Sequence, residues 1–288
     1  MKYILTLLCT LLLFIQTKSQ EKKAYNLFDA SGKQISYQEM MKTLKTQDVV
    51  FIGEIHNCPI AHWLEYEIIK DLYRKHGDKL TIGAEMLEAD NQLILNEYLD
   101  GLISSDRFEE EARLWPNYTT DYANVIGLGR EHHLPVIATN VPRRYANIVK
   151  NGGFEALEKL SPEALQYIAP LPIEYTPDEE ASAMFGLMLM TSAKKTNPEN
   201  IAKAQAIKDA TMGWLISKNL RSKFVHLNGN YHSDFKKGII TYLNLYRPGL
   251  KIANICSVRQ DEIDKLGEEN QGRADFYICV PTDMTMTY

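Results

Sequence analysis

Four residues that could do acid–base or metal chemistry follow short apolar runs of this 288-residue chain. Glu54 and His56 follow one run, Glu85 follows a second and His232 follows a third. Two carboxylates can divide acid and base work if their surroundings separate their pKa values. The same Glu and His side chains could instead bind a divalent metal. This chemistry requires that the elements of the fold bring the four residues together.

Each of the four residues also has a purely structural interpretation. Glu54 and His232 could cap the helices that follow them, because side chains near a helix start satisfy unpaired backbone N–H groups. His56 could hydrogen-bond a neighbouring turn, and Glu85 could pair with one of the arginines at positions 143 and 144. Four run ends that all finish in such residues favour a site over four separate structural roles.

The elements that would position these residues are short strands alternating with helices. Continuously apolar runs predict strands buried on both faces, at 48–52, 80–84, 134–138 and 224–227. Helical spacing of apolar residues predicts helices between them, at 61–73, 91–99 and 202–220. Two further strands are predicted at 251–258 and 274–280. This order predicts an α/β fold with a mainly parallel sheet covered by helices. In such sheets ligands bind at the carboxyl ends of the strands.

Residues 143 to about 200 have a different composition, with paired glycines, several prolines and a methionine-rich helical run. We interpret this segment as a helical cap inserted into an α/β domain that spans residues 20–288. Met184, Met188 and Met190 could contact a bulky apolar ligand, because methionine adapts to irregular surfaces, or could pack in the core.

The first nineteen residues resemble a secretory signal peptide. A lysine precedes an apolar run over residues 4–15, and small residues at 17 and 19 predict cleavage before Gln20. The chain is therefore expected to be exported to the periplasm or cell envelope; a retained or lipidated anchor at Cys9 is the alternative. The remaining cysteines are either buried thiols or include a Cys256–Cys279 disulfide, with Cys58 unpaired.

Charge and motifs exclude several functional classes. The net charge is −5, the pI is about 5.9 and no basic stripe is present, so nucleic acid is not expected as a partner. The sequence has no zincin helix, no nucleophile-elbow serine, no Walker A loop and no dinucleotide-binding glycine motif.

Several spaced motifs resemble those of the ChaN-like haem-binding uptake family, part of a superfamily that includes Tiki, TraB and erythromycin esterase-like proteins. Segment 49–57 (VVFIGEIHN) resembles the opening motif, and 83–86 (GAEM) the second, with Gln92 downstream. Segments 137–143 (IATNVPR) and 229–232 (GNYH) resemble later motifs. The remaining matches are an aromatic stretch and the helix before the last motif, carried by Trp115, Tyr118, Tyr122, Gln205, Asp209 and Met212. The resemblance covers about residues 45–260.

This resemblance implies haem binding in envelope iron acquisition, with haem between the carboxyl edge of the sheet and the helical cap. It is also compatible with partners in the outer-membrane haem uptake machinery and with a homodimer. Haem requires an apolar slot, an axial His or Tyr and often cations for its propionates. Residues that could serve are Tyr118, Tyr122, Arg143, Arg144, Tyr145, Tyr231 and His232.

Two other functions stay open. Erythromycin esterase-like and Tiki-like relatives imply a hydrolase, in which Glu54 or Glu85 activates water while His56 and His232 polarise a carbonyl or bind a metal. The third alternative is a non-catalytic protein that binds another bulky small molecule.

Overall fold

The apolar runs form the centre of a single sheet in the computed structural model, which describes residues 22–177 and 197–288. Within these residues there are eight strands: β1 Asn26–Asp29, β2 Gln34–Ile35, β3 Val49–Glu54, β4 Leu80–Glu88, β5 Val136–Asn140, β6 Lys223–Gly229, β7 Ile252–Gln260 and β8 Phe276–Pro281. Their spatial order is β2-β1-β8-β7-β3-β6-β4-β5. The six strands from β8 to β5 are parallel, whereas β1 and β2 pair antiparallel at one edge.

Helices cover both faces of this sheet. They are α1 Tyr37–Leu44, α2 Pro59–His76, α3 Gln92–Leu99, α4 Ser105–Glu111, α5 Ala123–Glu131, α6 Arg143–Gly152, α7 Pro162–Leu165, α8 Pro198–Asn219 and α9 Ile239–Tyr246. Every residue of β3, β4 and β6 is buried, as continuous apolar strands between two helical layers require. The predicted α/β fold with a mainly parallel sheet is therefore confirmed.

Alternate residues of β3 show how the two layers are held. Val50 and Ile52 belong to a core shared with α2 and α5, and Val49 and Phe51 belong to a second core shared with α8 and α9. Side chains alternate between the faces of a strand, so one short run contributes to both cores.

The structure differs from the sequence prediction in two places. Strands β1 and β2 were not predicted, because they are short and lie at the sheet edge. Strand β4 continues to Glu88, with a register shift against β5 between Ala84 and Glu88, so Glu85 lies within the strand and not after it. Of the two alternatives for the cysteines, the structure has buried thiols: Cys58, Cys256 and Cys279 are free and buried, without a Cys256–Cys279 disulfide.

Other predictions are not tested by the described residues. The signal sequence and Cys9 lie outside them, as do Met184, Met188 and Met190. The described part of the predicted cap forms α6, α7 and the start of α8, and its apolar side chains pack as one cluster that includes Val149, Leu157 and Ile207. Its separate identity as an inserted cap stays a prediction. Among the described residues, no helix combines the length and apolarity needed to cross a membrane.

Candidate functional site

Glu54 and His56 form a contact pair at the carboxyl end of β3. Glu54 is the last residue of the strand and is 2% exposed. Its Oε1 accepts a hydrogen bond from the Tyr122 hydroxyl at 2.7 Å and lies 2.7 Å from His56 Nδ1. Glu54 does not cap α2, whose N-cap is Cys58 without a side-chain hydrogen bond. The contact to His56 instead orients the imidazole edge-on to Trp115, with 4.8 Å between the two ring centroids.

The glycine that ends β6 makes room for this imidazole. Gly229 pairs with Glu54 across the two strands. A Cβ at Gly229 would lie 2.6 Å from His56 Cε1 and 2.7 Å from His56 Nε2, closer than carbon and nitrogen atoms can pack. A glycine is therefore required for the ring to lie directly against the strand backbone.

A second carboxylate–imidazole contact joins Glu85 on β4 to His232, which follows β6. Glu85 Oε2 accepts the backbone N–H of Gly229 at 2.8 Å, and its Oε1 lies 3.3 Å from His232 Nε2. His232 Nδ1 lies 2.6 Å from Asp209 Oδ1 on α8. His232 thus lies between two buried carboxylates and does not cap a helix. Glu85 pairs with this histidine and not with an arginine, so the alternative of an arginine partner is wrong.

Burial and charge set the protonation of this chain of three residues. Burial alone would raise the pKa of Glu85, but the positive charge of His232 outweighs burial and holds the pKa at about 2. Burial alone would lower the pKa of His232, but Glu85 and Asp209 raise it to about 10. Burial raises the pKa of Asp209. His232 is therefore an imidazolium at neutral pH, with both ring nitrogens directed at carboxylates.

A cavity of about 940 Å³ opens above these two pairs at the carboxyl edge of the sheet. Its wall includes the four predicted site residues together with aromatic and apolar side chains from other elements: Ile55, Trp115, Pro116, Val141, Tyr231 and Tyr288. Arg143 at the start of α6 and Lys208 on α8 add positive charge to the wall. The structure therefore brings Glu54, His56, Glu85 and His232 together at one polar floor below a mixed aromatic and cationic wall.

The residues predicted to hold haem fall into two groups. Tyr231, His232 and Arg143 line the cavity, whereas the part of its wall that the structure describes does not include Tyr118, Tyr122, Arg144 or Tyr145. Tyr118 is buried and packs edge-to-face on Phe108. Tyr122 lies behind Glu54.

The two remaining residues lie beside the cavity. Tyr145 is buried in the cluster between α6 and α8. Arg144 lies over the ring of Tyr145 and pairs with Asp90. Arg143 pairs with Glu88 at 2.6 Å, and its side chain is 66% exposed. These positions do not favour direct ligand contact by Tyr118, Tyr122, Arg144 or Tyr145.

Sequence reasoning missed a polar group on the buried side of α2. His62 and Glu65 are 4% and 0% exposed, and with Glu54 they form a group of side chains whose ligand atoms lie within 4.8 Å of one another. In the predicted metal set of Glu54, His56, Glu85 and His232, both ring nitrogens of His232 already face carboxylates, Asp209 at 2.6 Å and Glu85 at 3.3 Å, and the set as a whole stays a prediction. The sequence feature that could have indicated this group is that His62 and Glu65 interrupt the apolar helical stripe of Leu64, Ile68 and Leu72.

Comparison with solved structures shows the same fold in other proteins. ChaN of Campylobacter jejuni is 17% identical, and the match covers 89% of this chain and 97% of that chain with a TM-score of 0.68. A protein from Bacillus cereus is 11% identical over 85% of this chain and 90% of its own, with a TM-score of 0.51. A mutant of the erythromycin esterase EreC in its open conformation is 12% identical, with coverage of 90% and 83% and a TM-score of only 0.45.

Sequence comparison gives the family. The curated proteins contain no match to the chain. The model of the family described as haem-binding uptake, Tiki superfamily, ChaN matches residues 40–243, which include all the strands from β3 to β6 and the whole polar floor of the cavity. The chain belongs to the ChaN haem-binding uptake family of the Tiki superfamily.

Proposed function

We propose that this protein binds haem in the cavity between the carboxyl edge of the sheet and the helices α6 and α8, as part of haem or iron uptake. The observation that carries the proposal is the family match over residues 40–243. The solved structure of ChaN from Campylobacter jejuni is described as cofacial heme binding to that protein. The cavity, at about 940 Å³, has the size and the aromatic wall that a bulky flat ligand needs.

Tyr231 is the residue we propose as the axial ligand. Iron requires a ligand atom with an available lone pair, and a tyrosine oxygen can supply one. His232 is a poor candidate because it is buried and both of its ring nitrogens already face carboxylates, Asp209 at 2.6 Å and Glu85 at 3.3 Å. Tyr231 lines the cavity and is 43% exposed, so a ligand can approach its ring without displacing the core.

Arg143 and Lys208 are proposed to hold the propionates. Both belong to the cavity wall, and guanidinium and ammonium groups are suited to carboxylates. The Nε of Arg143 lies 2.6 Å from Glu88 Oε1, which orients the guanidinium at the rim while most of the side chain stays exposed.

A haemin titration of the protein without residues 1–19 tests this function. We expect a saturable shift in the Soret region for wild type and a shifted band with at least about ten-fold weaker affinity for Tyr231→Phe, since ten-fold corresponds to only about 1.4 kcal/mol. Tyr66→Phe is the matched control, because Tyr66 lies on α2 under Lys70 and away from the cavity. A wild-type spectrum that does not saturate at micromolar haemin contradicts haem binding. A normal Tyr231→Phe spectrum contradicts only the ligand assignment.

Export is part of the same proposal and is supported by the charged, apolar and small-residue pattern of residues 1–19. Fractionation of cells that express the full chain is expected to place it outside the cytoplasm. N-terminal sequencing of that material is expected to begin at Gln20. Recovery of the protein from the cytoplasmic fraction with Met1 still present would contradict export.

A hydrolase is the second candidate. The geometry that favours it is the pair of carboxylate–imidazole contacts on one cavity floor, Glu54–His56 at 2.7 Å and Glu85–His232 at 3.3 Å. One pair could activate water while the other polarises a carbonyl. A panel of ester and peptide substrates, assayed with and without divalent metals, tests this function. Turnover by wild type that Glu54→Gln abolishes without loss of fold would support it, and the absence of turnover would leave a binding role for haem or another bulky ligand.

A further inference from the structure

Behind the cavity floor lies a second polar group that the proposed haem site does not use. His62 and Glu65 project from α2 toward Glu54 at the end of β3, and all three side chains are buried. His62 Nδ1 lies 3.1 Å from Glu65 Oε2 and 3.6 Å from Glu54 Oε2. Three ligand-type atoms therefore converge on one point between the helix and the strand.

The other nitrogen of His62 determines which tautomer faces this point. Nε2 lies 3.1 Å from the backbone oxygen of His56 and 3.4 Å from Asp121 Oδ2, both of which only accept hydrogen bonds. Acceptors face both ring nitrogens, so in the neutral ring a proton on Nε2 can bond the His56 carbonyl and leaves the Nδ1 lone pair directed at Glu54 and Glu65. A ring nitrogen held in this way by a backbone carbonyl is the usual arrangement of a metal-binding histidine.

Two carboxylate oxygens of this group have no hydrogen-bond partner among the described residues. They are Glu54 Oε2, which lies 3.6 Å from His62 Nδ1, and Glu65 Oε1, the second oxygen of the carboxylate whose Oε2 lies 3.1 Å from His62 Nδ1. An unsatisfied buried polar group costs about 1–3 kcal/mol, and more when it is charged. The Nδ1 lone pair of His62 and two ionised carboxylates this close together repel one another unless a metal cation or added protons lie between them.

We propose that Glu54, His62 and Glu65 bind a divalent transition-metal cation. One imidazole nitrogen with two carboxylates suits Mn²⁺, Fe²⁺ or Zn²⁺ better than Mg²⁺ or Ca²⁺, which prefer oxygen ligands alone. Ligand bonds of about 2.1 Å in a tetrahedral site separate neighbouring ligand atoms by about 3.4 Å. The observed 3.1 and 3.6 Å from His62 Nδ1 bracket this separation.

The cation has a structural consequence for the cavity. Glu54 Oε1 already contacts His56 and Tyr122, so a cation on Oε2 would hold Glu54 ionised and fix its carboxylate plane beneath His56. Without the cation, burial raises the pKa of Glu54 to about 8 and that of Glu65 to about 7, so protons take its place. A shared proton is thus the alternative occupant, and it predicts no metal affinity.

Calorimetric titration of the chelator-stripped protein with Mn²⁺ and with Zn²⁺, without haem, tests the site. We expect one equivalent to bind, and both Glu65→Gln and His62→Gln to weaken binding by at least about ten-fold. Glu67→Gln is the matched control: it makes the same change on the same helix, at a residue paired with Lys70 outside the group, and should leave affinity unchanged. No uptake at about 1 mM metal, or unchanged affinity in both site variants, overturns the proposal.

A spectroscopic measurement on wild type keeps the proposal testable if the variants do not fold. Electron spin-echo spectra of the Mn²⁺-loaded protein are expected to show coupling to an imidazole nitrogen, and spectra without nitrogen coupling overturn the assignment. Glu85→Gln is expected to retain the metal, because Glu85 belongs to the cavity floor and not to this group; loss of metal in that variant would favour the cavity residues instead. Because no haem is present, failure of this test leaves the haem proposal unaffected.

Discussion

Replacement of Glu85 by glutamine removes one charge from the buried Glu85–His232–Asp209 chain while keeping its shape. The glutamine oxygen can still accept the N–H of Gly229, which bonds Glu85 Oε2 at 2.8 Å in the wild type. The amide nitrogen, however, would face His232 Nε2, 3.3 Å from Glu85 Oε1, where two N–H groups cannot bond. His232 is therefore expected to lose its proton near neutral pH in Glu85→Gln.

The size of the effect follows from the pKa of His232. At about 1.4 kcal/mol per pKa unit, a value of about 10 in place of 6.5 corresponds to at most about 5 kcal/mol. Asp209 remains in the variant at 2.6 Å from Nδ1 and retains part of this stabilisation. We therefore expect Glu85→Gln to lower the free energy of unfolding by about 3 kcal/mol near pH 6, within the range for breaking a buried ion pair.

The pH dependence has a definite sign. The raised pKa of His232 stabilises the fold fully below pH 6.5, and this stabilisation is lost as the pH rises toward about 10. The lowered pKa of Glu85 stabilises the fold above pH 4.5, and this contribution is lost as the pH falls toward about 2. Burial raises the pKa of Asp209, so ionising this carboxyl as the pH rises costs free energy and offsets part of the stabilisation from His232 and Glu85. The difference between wild type and Glu85→Gln should thus be largest between pH 4.5 and 6.5 and shrink toward pH 10.

Urea unfolding at pH 6 and pH 9.5 measures this difference, with the midpoint and slope fitted for each variant. Glu67→Gln is again the control, since a partly exposed ion pair within one helix contributes only about 0.2–0.5 kcal/mol. A loss below about 1 kcal/mol at pH 6, or a loss that increases with pH, would refute the assignment of His232 as a charged partner of Glu85.

Three further outcomes are expected. Gly229→Ala should displace the His56 ring and cost about 1–3 kcal/mol in urea unfolding, whereas an unchanged midpoint would show that the ring has room to move. Arg143→Gln should weaken haemin binding several-fold and reduce its salt dependence, and an unchanged titration in low and high salt would remove Arg143 from the propionate site. In protein without residues 1–19, a thiol reagent should label the native form slowly and the urea-unfolded form rapidly at three sites, because burial shields the thiols and raises their pKa. Fast labelling of the native form would contradict their burial. These thiols are Cys58, Cys256 and Cys279.

The fold class, and the placement of Glu54 and His232 at the carboxyl edge of the sheet, could be predicted from sequence because both depend on local patterns. Continuous apolar runs identify strands buried on both faces, and helical spacing identifies the helices between them. Glu54, at the carboxyl end of β3, and His232, just beyond the end of β6, lie at the sheet edge where this pattern predicts ligands. The spaced motifs indicated the family, which the match over residues 40–243 confirms.

Only the tertiary structure decided which side chains meet. Strand β6 inserts between β3 and β4, and this pairing of distant segments brings Gly229 against His56 and Glu85. The packing of α2 on β3 turns His62 and Glu65 toward Glu54, although along the chain they look like breaks in an apolar stripe. Periodicity reports that a residue is buried and does not report its neighbours, because contacts between distant segments depend on register and helix orientation.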